Sequence, residues 1–116
     1  MAQYMLLLYA DESAGSALPR EEMAKWMIKM GEYGAALEKA GAMVSTGGLG
    51  RTRDAKTINL DDGQLKVHNG PYAETQEQLG GYYLIDVANM AAAQKWAAKC
   101  PAAIWGHIEI REVMHG

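Results

Sequence analysis

The chain has 116 residues and a formal net charge of −3, with acidic and basic side chains mixed along its length. This length fits one domain with a single core, and the charge pattern offers no basic stripe for nucleic-acid phosphates. No apolar run approaches the roughly 20 residues of a membrane span, and the start lacks a signal-peptide pattern. We therefore expect one domain, residues 1–116, that binds neither nucleic acid nor membrane.

Cysteine and histidine usage bears on the cellular compartment and on metal binding. A single cysteine, Cys100, cannot form an internal disulfide, which fits the reducing cytoplasm. The residues His68, His107, His115 and Cys100 lack the spacing of metal ligands. We expect a cytoplasmic protein with no metal and no cofactor.

The first half of the chain predicts a strand, a long helix and a second strand. Residues 4–9 form a short apolar run typical of a buried strand, and residues 10–18 form a polar loop. After Pro19, apolar side chains recur every three or four residues as far as about Ala40, which predicts one helix ended by Gly41. Residues 42–46 predict the second strand. The stripe that this helix is expected to bury in the core contains Met23, Trp26, Met27, Met30, Tyr33 and Leu37.

The second half predicts a hairpin, a strand, a helix and a final strand. Residues 57–60 and 64–68 flank a turn at 61–63, and residues 74–79 predict one helical turn. A strand follows at 81–87, then a helix at 90–100 capped by Asn89, and an alternating strand at 106–113. Two strand–helix–strand units with an inserted hairpin indicate an α+β fold. We expect the ferredoxin-like split βαβ form, with an antiparallel sheet and two helices on one face.

The first strand is apolar on both of its faces, which has a consequence for assembly. A sheet with one wet face shows a polar residue at every second position, and two helices cover only one face. We therefore expect a homodimer, in which the second face pairs with a second copy to form a dimeric α/β barrel. The two sets of alternating side chains are Tyr4, Leu6 and Leu8, and Met5, Leu7 and Tyr9.

The polar segment at residues 74–78 holds the first candidate site. Glu74 is a candidate general acid or base, with Thr75 and Gln78 orienting a ligand. Alternatively, Thr75 and Gln78 satisfy backbone amides in the manner of a capping box. His68 is a candidate to share a proton with Glu74, and the alternative is an exposed histidine at a strand end.

The last strand holds the second candidate site. His107, Glu109 and Arg111 project to one face, where they could hold a carboxylate or phenolate if that face turns into the dimer interior. If the strand lies at an edge, the three are a solvated face. The walls of the ligand pocket are expected to come from three tyrosines, Tyr9, Tyr72 and Tyr83.

Residues 69–87, NGPYAETQEQLGGYYLIDV, resemble the core motif of the DGPF-domain proteins of the YCII-related family. That motif runs Asp-Gly-Pro-Phe, Ala-Glu-Thr, Glu-Gln-Leu-Gly-Gly and a hydrophobic strand. Here Asn69 and Tyr72 replace its Asp and Phe. The opening strand, the helix after Pro19 and the closing residues 108–111 also resemble the family. The resemblance covers nearly the whole chain and implies a dimeric α/β barrel.

The resemblance implies two classes of function. Some members are encoded beside extracytoplasmic-function sigma factors, which implies an accessory role in signalling. A few relatives are dehydrochlorinases or lactone isomerases thought to use a His–Asp pair, with the histidine near the start of the first helix. Residues 19–24 contain no histidine here. We interpret the chain as a small-molecule-binding or regulatory homodimer. The alternative is a cofactor-independent lyase or isomerase of a small cyclic substrate, with Glu74 or His68 moving the proton.

Overall fold

The computed structural model describes residues 1–114, so His115 lies outside the described residues. The strands are β1 (Ala2–Ala10), β2 (Met43–Gly48), β3 (Lys56–Asp61), β4 (Gln64–Asn69), β5 (Gln78–Val87) and β6 (His107–Glu112). The helices are α1 (Glu12–Ser16), α2 (Arg20–Lys39), α3 (Met90–Lys99) and α4 (Ala102–Trp105), with a 3-10 turn at Thr52–Asp54.

Four strands form one antiparallel sheet in the order β2-β5-β1-β6. The strands β3 and β4 pair with each other in a separate two-stranded sheet. The two strand–helix–strand units, β1–α2–β2 and β5–α3–β6, interleave in the large sheet, and their first strands β1 and β5 pair at its centre. The predicted α+β, ferredoxin-like fold with an inserted hairpin is confirmed.

Local chemistry explains where the two main helices begin and end. α2 follows Pro19, carries acidic side chains in its first turn and Lys39 in its last, and so complements the helix dipole at both ends. Gly41 follows with a φ of +71°, a left-handed conformation that favours glycine. At α3, the Asn89 side chain accepts a hydrogen bond of 2.9 Å from the Ala92 N–H, which confirms the predicted N-cap.

The buried core lies between one face of the large sheet and the helices α2 and α3. At its centre the Tyr33 hydroxyl donates a hydrogen bond of 2.7 Å to the Trp96 carbonyl, and the Tyr33 and Tyr83 rings meet edge to face. Burial raises the pKa of Tyr33 above its ordinary value of 10.0, with smaller contributions from Cys100 and Tyr83. The other buried side chains are Tyr4, Leu6, Leu37, Ala42, Ile85, Val87, Ala93, Ala97 and Ala102.

The second face of the large sheet carries side chains that no described helix buries in the core. Tyr4 and Leu6 of β1 belong to the buried core, so the alternating positions Met5 and Leu7 point the other way. The strand register brings Leu84 beside Met5 and Tyr82 beside Leu7. We call this surface the open face; its large side chains are Met5, Leu7, Tyr9, Tyr82 and Leu84, all half-buried.

Three local predictions are wrong. Residues 12–16 form α1 rather than loop, because the Asp11 carboxylate accepts hydrogen bonds from the first amides of that helix. No helical turn forms at 74–79, because Gln78 already pairs with Ala10 in the sheet. The apolar stripe of α2 is not buried throughout: Tyr33 and Leu37 are in the core, whereas the first half of the helix reaches beyond it and leaves Met27 exposed.

Candidate functional site

An apolar cavity of about 340 Å³ lies between α1, the first turns of α2 and the start of β5. Its walls include Leu18, Met23, Trp26 and Trp105. The two indole rings meet edge to face with their centroids 4.5 Å apart. Both the volume and the apolar lining are typical of small-molecule sites in proteins. We call this space the Trp cavity.

A wider groove of about 670 Å³ adjoins the Trp cavity on the side of Leu49 and Arg51. The two spaces share Glu12, Leu18 and Met23 as lining residues. The Arg51 guanidinium donates a hydrogen bond to the Ser16 hydroxyl, which ties the loop after β2 to the end of α1. The Trp cavity therefore has an open approach along the start of α2.

Hydrogen bonds within the chain occupy the polar side chains around the Trp cavity. The Glu12 carboxylate accepts from the Thr52 N–H at 3.1 Å and from the Thr52 hydroxyl at 2.7 Å. Gln78 accepts from the Glu12 N–H at 2.8 Å through Oε1 and donates to the Thr75 carbonyl at 2.7 Å through Nε2. Asp11 caps α1. These groups hold the walls in place, which leaves the apolar side chains to contact a ligand.

A polar cluster lies on the open face, on the other side of the same sheet. His107 pairs with Tyr9 in the strand register, Glu109 with Leu7 and Arg111 with Met5, so the predicted set does share one face. Nδ1 of His107 lies 2.8 Å from Oε1 of Glu77. The His107 side chain is 81% exposed in the single chain. We call Tyr9, Glu77, His107, Glu109 and Arg111 the open-face cluster.

The environment of Tyr9 keeps its phenol protonated. Desolvation raises the pKa of Tyr9 above its ordinary value of 10.0, and the charge of Glu109 and a hydrogen bond to it raise it further. The nearby positive charge of Arg111 acts in the opposite direction. At neutral pH the Tyr9 hydroxyl is therefore a hydrogen-bond donor, held beside a carboxylate.

The two predicted proton carriers are not brought together. Glu74 is exposed and lines a shallow groove of about 270 Å³ with Thr52 and Pro71. His68 is exposed on β4, opposite Thr57. Within residues 1–114, no hydrogen bond or ion pair joins His68 to Glu74. The partner that the structure does provide for a histidine is Glu77, two strands away from His107 in the sheet.

The remaining motif residues are divided between solvent, core and local hydrogen bonds. Tyr72 is 92% exposed. Tyr83 does not wall a pocket on the open face, because β5 places it opposite Leu6 on the helix side, where it is buried in the core. Thr75 donates to the Glu77 carbonyl, so Thr75 and Gln78 do satisfy backbone groups, although no helix begins there.

Sequence reasoning missed Glu77, Trp26 and Trp105 as site residues. Trp26 carried a usable signal. The apolar stripe of α2 is longer than the second helix, α3, so part of that stripe must extend beyond the core that the two helices share. Glu77 and Trp105 carried no such signal. The partner of Glu77 is His107, far along the chain, and the partner of Trp105 is Trp26 in α2. Among residues 1–114, no helix is long and apolar enough to cross a membrane, and no cluster of three His, Cys, Asp or Glu side chains could hold a metal ion.

The sheet order and the placement of its helices define a ferredoxin-like α+β protein with a hairpin insertion. The YCII-related domain family matches residues 2–115, which is nearly the entire chain. The chain belongs to the YCII-related domain family. An uncharacterized protein of Rhizobium meliloti (strain 1021) is similar to it, with 37% identity over 94 residues that cover 81% of this chain and 76% of that protein.

Proposed function

We propose that the protein is a cytoplasmic homodimer that binds a small, largely apolar molecule in the Trp cavity and performs no chemistry on it. The observation that carries this proposal is an apolar space of ligand size whose polar neighbours are already engaged with one another. A cytoplasmic location is supported by the single cysteine, Cys100, which is buried and free.

The position of the Trp cavity supports binding over catalysis. The cavity lies at the start of α2, the part of the fold where the enzymatic relatives are thought to carry their histidine. Here that helix begins Arg-Glu-Glu-Met-Ala, and the side chains by which it lines the cavity are Met23 and Trp26. A general base has to reach the proton that it removes, and Glu12 is held by Thr52 instead.

The lining indicates the chemical class of the ligand. Indole edges and a methionine sulfur favour contact with ring systems, and Leu18 adds aliphatic surface. No cationic side chain lines the Trp cavity among the described residues. We therefore expect a small, uncharged, ring-containing molecule rather than a carboxylate or a phosphate.

The homodimer is supported by the open face. Its large side chains, Met5, Leu7 and Leu84 among them, are only half-buried in the single chain. Taking such a group from full exposure to full burial gains roughly 1.5–3 kcal/mol, and completing the burial of each half-buried side chain gains the remaining part of that. The same face of a second copy is self-complementary across a two-fold axis and would also cover the open-face cluster.

Quenching of tryptophan fluorescence by 2-naphthol, an uncharged bicyclic probe, tests the binding site. We expect saturable quenching in the wild type and at least about a tenfold weaker affinity in Trp105→Ala, because a wall of the cavity is lost. Ile104→Ala is the matched control, since Ile104 belongs to the same short helix but does not line the cavity. Equal affinity in both variants would remove the cavity as the binding site.

A second candidate function rests on the ion pair between Glu77 and His107. Covered by a second copy, this pair could remove a proton from carbon while chloride leaves with the electrons of its C–Cl bond, as a cofactor-independent lyase requires. Chloride release from a chlorinated lactone tests it. We expect release to be lost in Glu77→Gln and kept in Glu74→Gln. No release from the wild type rejects dehydrochlorination of that substrate class.

A further inference from the structure

The hairpin β3–β4 has one aliphatic face and one polar face. The register places Ile58 opposite Val67 and Leu60 opposite Leu65, so these four side chains share a face. The other face carries the polar pairs, such as Asn59 with Lys66. This strict alternation is typical of a sheet whose apolar side is covered.

Nothing within residues 1–114 covers the aliphatic face of the hairpin. Its four side chains are between 55% and 69% exposed, the values at Val67 and Leu60. A two-stranded hairpin alone is marginally stable in water, and natural surfaces avoid large apolar patches that serve no contact. The radius of gyration is 16.1 Å, against about 13 Å for a compact chain of this size. The hairpin therefore extends outward as an arm.

Hydrogen bonds between its two strands and their flanking residues close the base of the arm. The Gly70 N–H donates to the Ala55 carbonyl at 2.7 Å, and the Thr57 hydroxyl donates to the Gly70 carbonyl at 2.9 Å. The Lys56 ammonium donates to the Asn69 side chain at 2.7 Å. At its tip, Asp62 and Gly63 both have positive φ, which gives the tight turn that suits the twist of a hairpin. The arm is a defined element and not a loose loop.

The apolar area needed by a stable dimer indicates what covers the arm. A stable interface buries about 800 Å² per partner, of which about 65% is apolar in homodimers, or roughly 520 Å². The five large side chains of the open face expose no more than about a third of roughly 200 Å² each, or about 350 Å². The arm adds roughly 490 Å² on the same scale. The open face alone falls short, and the two surfaces together exceed the requirement.

We propose that the arm is part of the dimer interface, with its aliphatic face packed against the second copy of the chain. This inference rests on the homodimer of the proposed function and adds a second, separate contact surface to it. The molecule that covers the arm is a second copy of the chain, because the arm supplies the apolar area that the open face lacks for a stable dimer interface. Each protomer contributes one arm, so the contact occurs twice in a two-fold dimer.

The double variant Ile58→Thr with Val67→Thr tests the arm. Threonine keeps the branched shape and the strand preference, so the hairpin still forms while its apolar face is lost. We expect the dimer dissociation constant from sedimentation equilibrium to rise by about 100-fold, because each change counts twice. The matched control is Asn59→Thr with Lys66→Thr on the polar face of the same strands, which should change it less than about threefold.

The possible outcomes distinguish the role of the arm from the existence of the homodimer. A variant that dimerises as tightly as the wild type overturns the role of the arm and leaves the homodimer standing. A wild type that stays monomeric at all concentrations overturns both. Amide hydrogen exchange of the wild type gives a measurement without substitution: amides of β3 and β4 should become more protected as the concentration passes the dissociation constant. Protection that is independent of concentration overturns the arm contact.

Discussion

Oε1 of Glu77 lies 2.8 Å from Nδ1 of His107, and this pair joins two chain segments that sit on opposite sides of β1. Glu77 immediately precedes β5, and His107 is the first residue of β6. The strand β1 separates the two, so the contact exists only after β5 and β6 have both paired with it. The pair therefore forms only once the sheet is folded.

Exposure limits how much the Glu77–His107 pair stabilises the single chain. We expect a coupling free energy below about 1 kcal/mol from a double-mutant cycle with Glu77→Gln and His107→Gln, measured by urea unfolding under conditions where the protein is monomeric. The coupling should shrink further in high salt, because the histidine is largely in water. A coupling of several kcal/mol in the monomer would contradict the observed exposure.

The titration of Tyr9 reports the charges of the open-face cluster. We expect Glu109→Gln to lower the pKa of the Tyr9 phenol, because a negative charge is removed and the charged acceptor is replaced by a neutral one. Arg111→Gln should raise that pKa, because a nearby positive charge is lost. Ultraviolet absorbance of the phenolate, with Tyr9→Phe to identify the signal, measures both. Shifts of the same sign in the two variants would contradict the arrangement of the cluster.

Burial of Tyr33 makes stability fall at alkaline pH. Its folded-state pKa is raised above the ordinary 10.0, so the unfolded chain loses this proton first as pH rises. The stabilisation is complete below pH 10 and is lost progressively above it. Tyr33→Phe should flatten this decline and cost about 1 kcal/mol at neutral pH, because the hydrogen bond to Trp96 is lost.

Denaturant unfolding at a series of pH values measures the effect at Tyr33. Tyr72→Phe is the control, because Tyr72 is exposed and should leave the unfolding free energy at neutral pH unchanged. A variant at Tyr33 with the same alkaline decline as the wild type would show that other groups cause it, with Tyr83 the next candidate, since burial also raises the pKa of Tyr83.

Two glycines should respond to alanine in opposite directions. A Cβ on Gly106 would lie 2.0 Å from the Tyr9 carbonyl oxygen, so the backbone must shift where β6 joins β1. We expect Gly106→Ala to cost about 2 kcal/mol or more. A Cβ on Gly15 in α1 meets nothing within 4 Å, so Gly15→Ala should stabilise by about 0.5–1 kcal/mol. Thermal unfolding measures both, and a neutral Gly106→Ala would contradict the close approach.

The sequence predicted the fold well because its signals are strong and local. The periodicity of α2, the cap at Asn89 and the alternation of the hairpin each require only neighbouring residues, and each is confirmed. The helix α1 could not be predicted, because Gly15 and its serine neighbours are weak helix formers. It is held by Glu12, whose partners Thr52 and Gln78 are distant in the chain.

The candidate site was predicted only in part, for a related reason. Strand alternation can be read from the sequence. It predicts that His107 and Arg111 share a face, and the strand register places Tyr9 on that face. The prediction that Tyr83 walls the ligand pocket is wrong, because its side is set by the pairing of β5 with β1, which involves residues nearly 80 positions apart. The Trp cavity forms only when three separate segments of the chain pack together, and no local sequence pattern predicts that contact.

The register shift between Leu8 and Tyr9 determines which side of the sheet Glu77 and Gln78 each face. Gly80 is the additional residue of β5 at this bulge, since Leu8 pairs with Gly81 and Tyr9 with Leu79. Deleting Gly80 would give an uninterrupted ladder that keeps the pairs Tyr9–Leu79 and Ala10–Gln78, whereas a β5 in which Gly80 itself paired with Tyr9 would move every earlier residue by one position. In that register Glu77 would be presented to the helices and Gln78 to the opposite side, so the bulge at Gly80 is what allows Glu77 to contact His107 and Gln78 to contact Glu12.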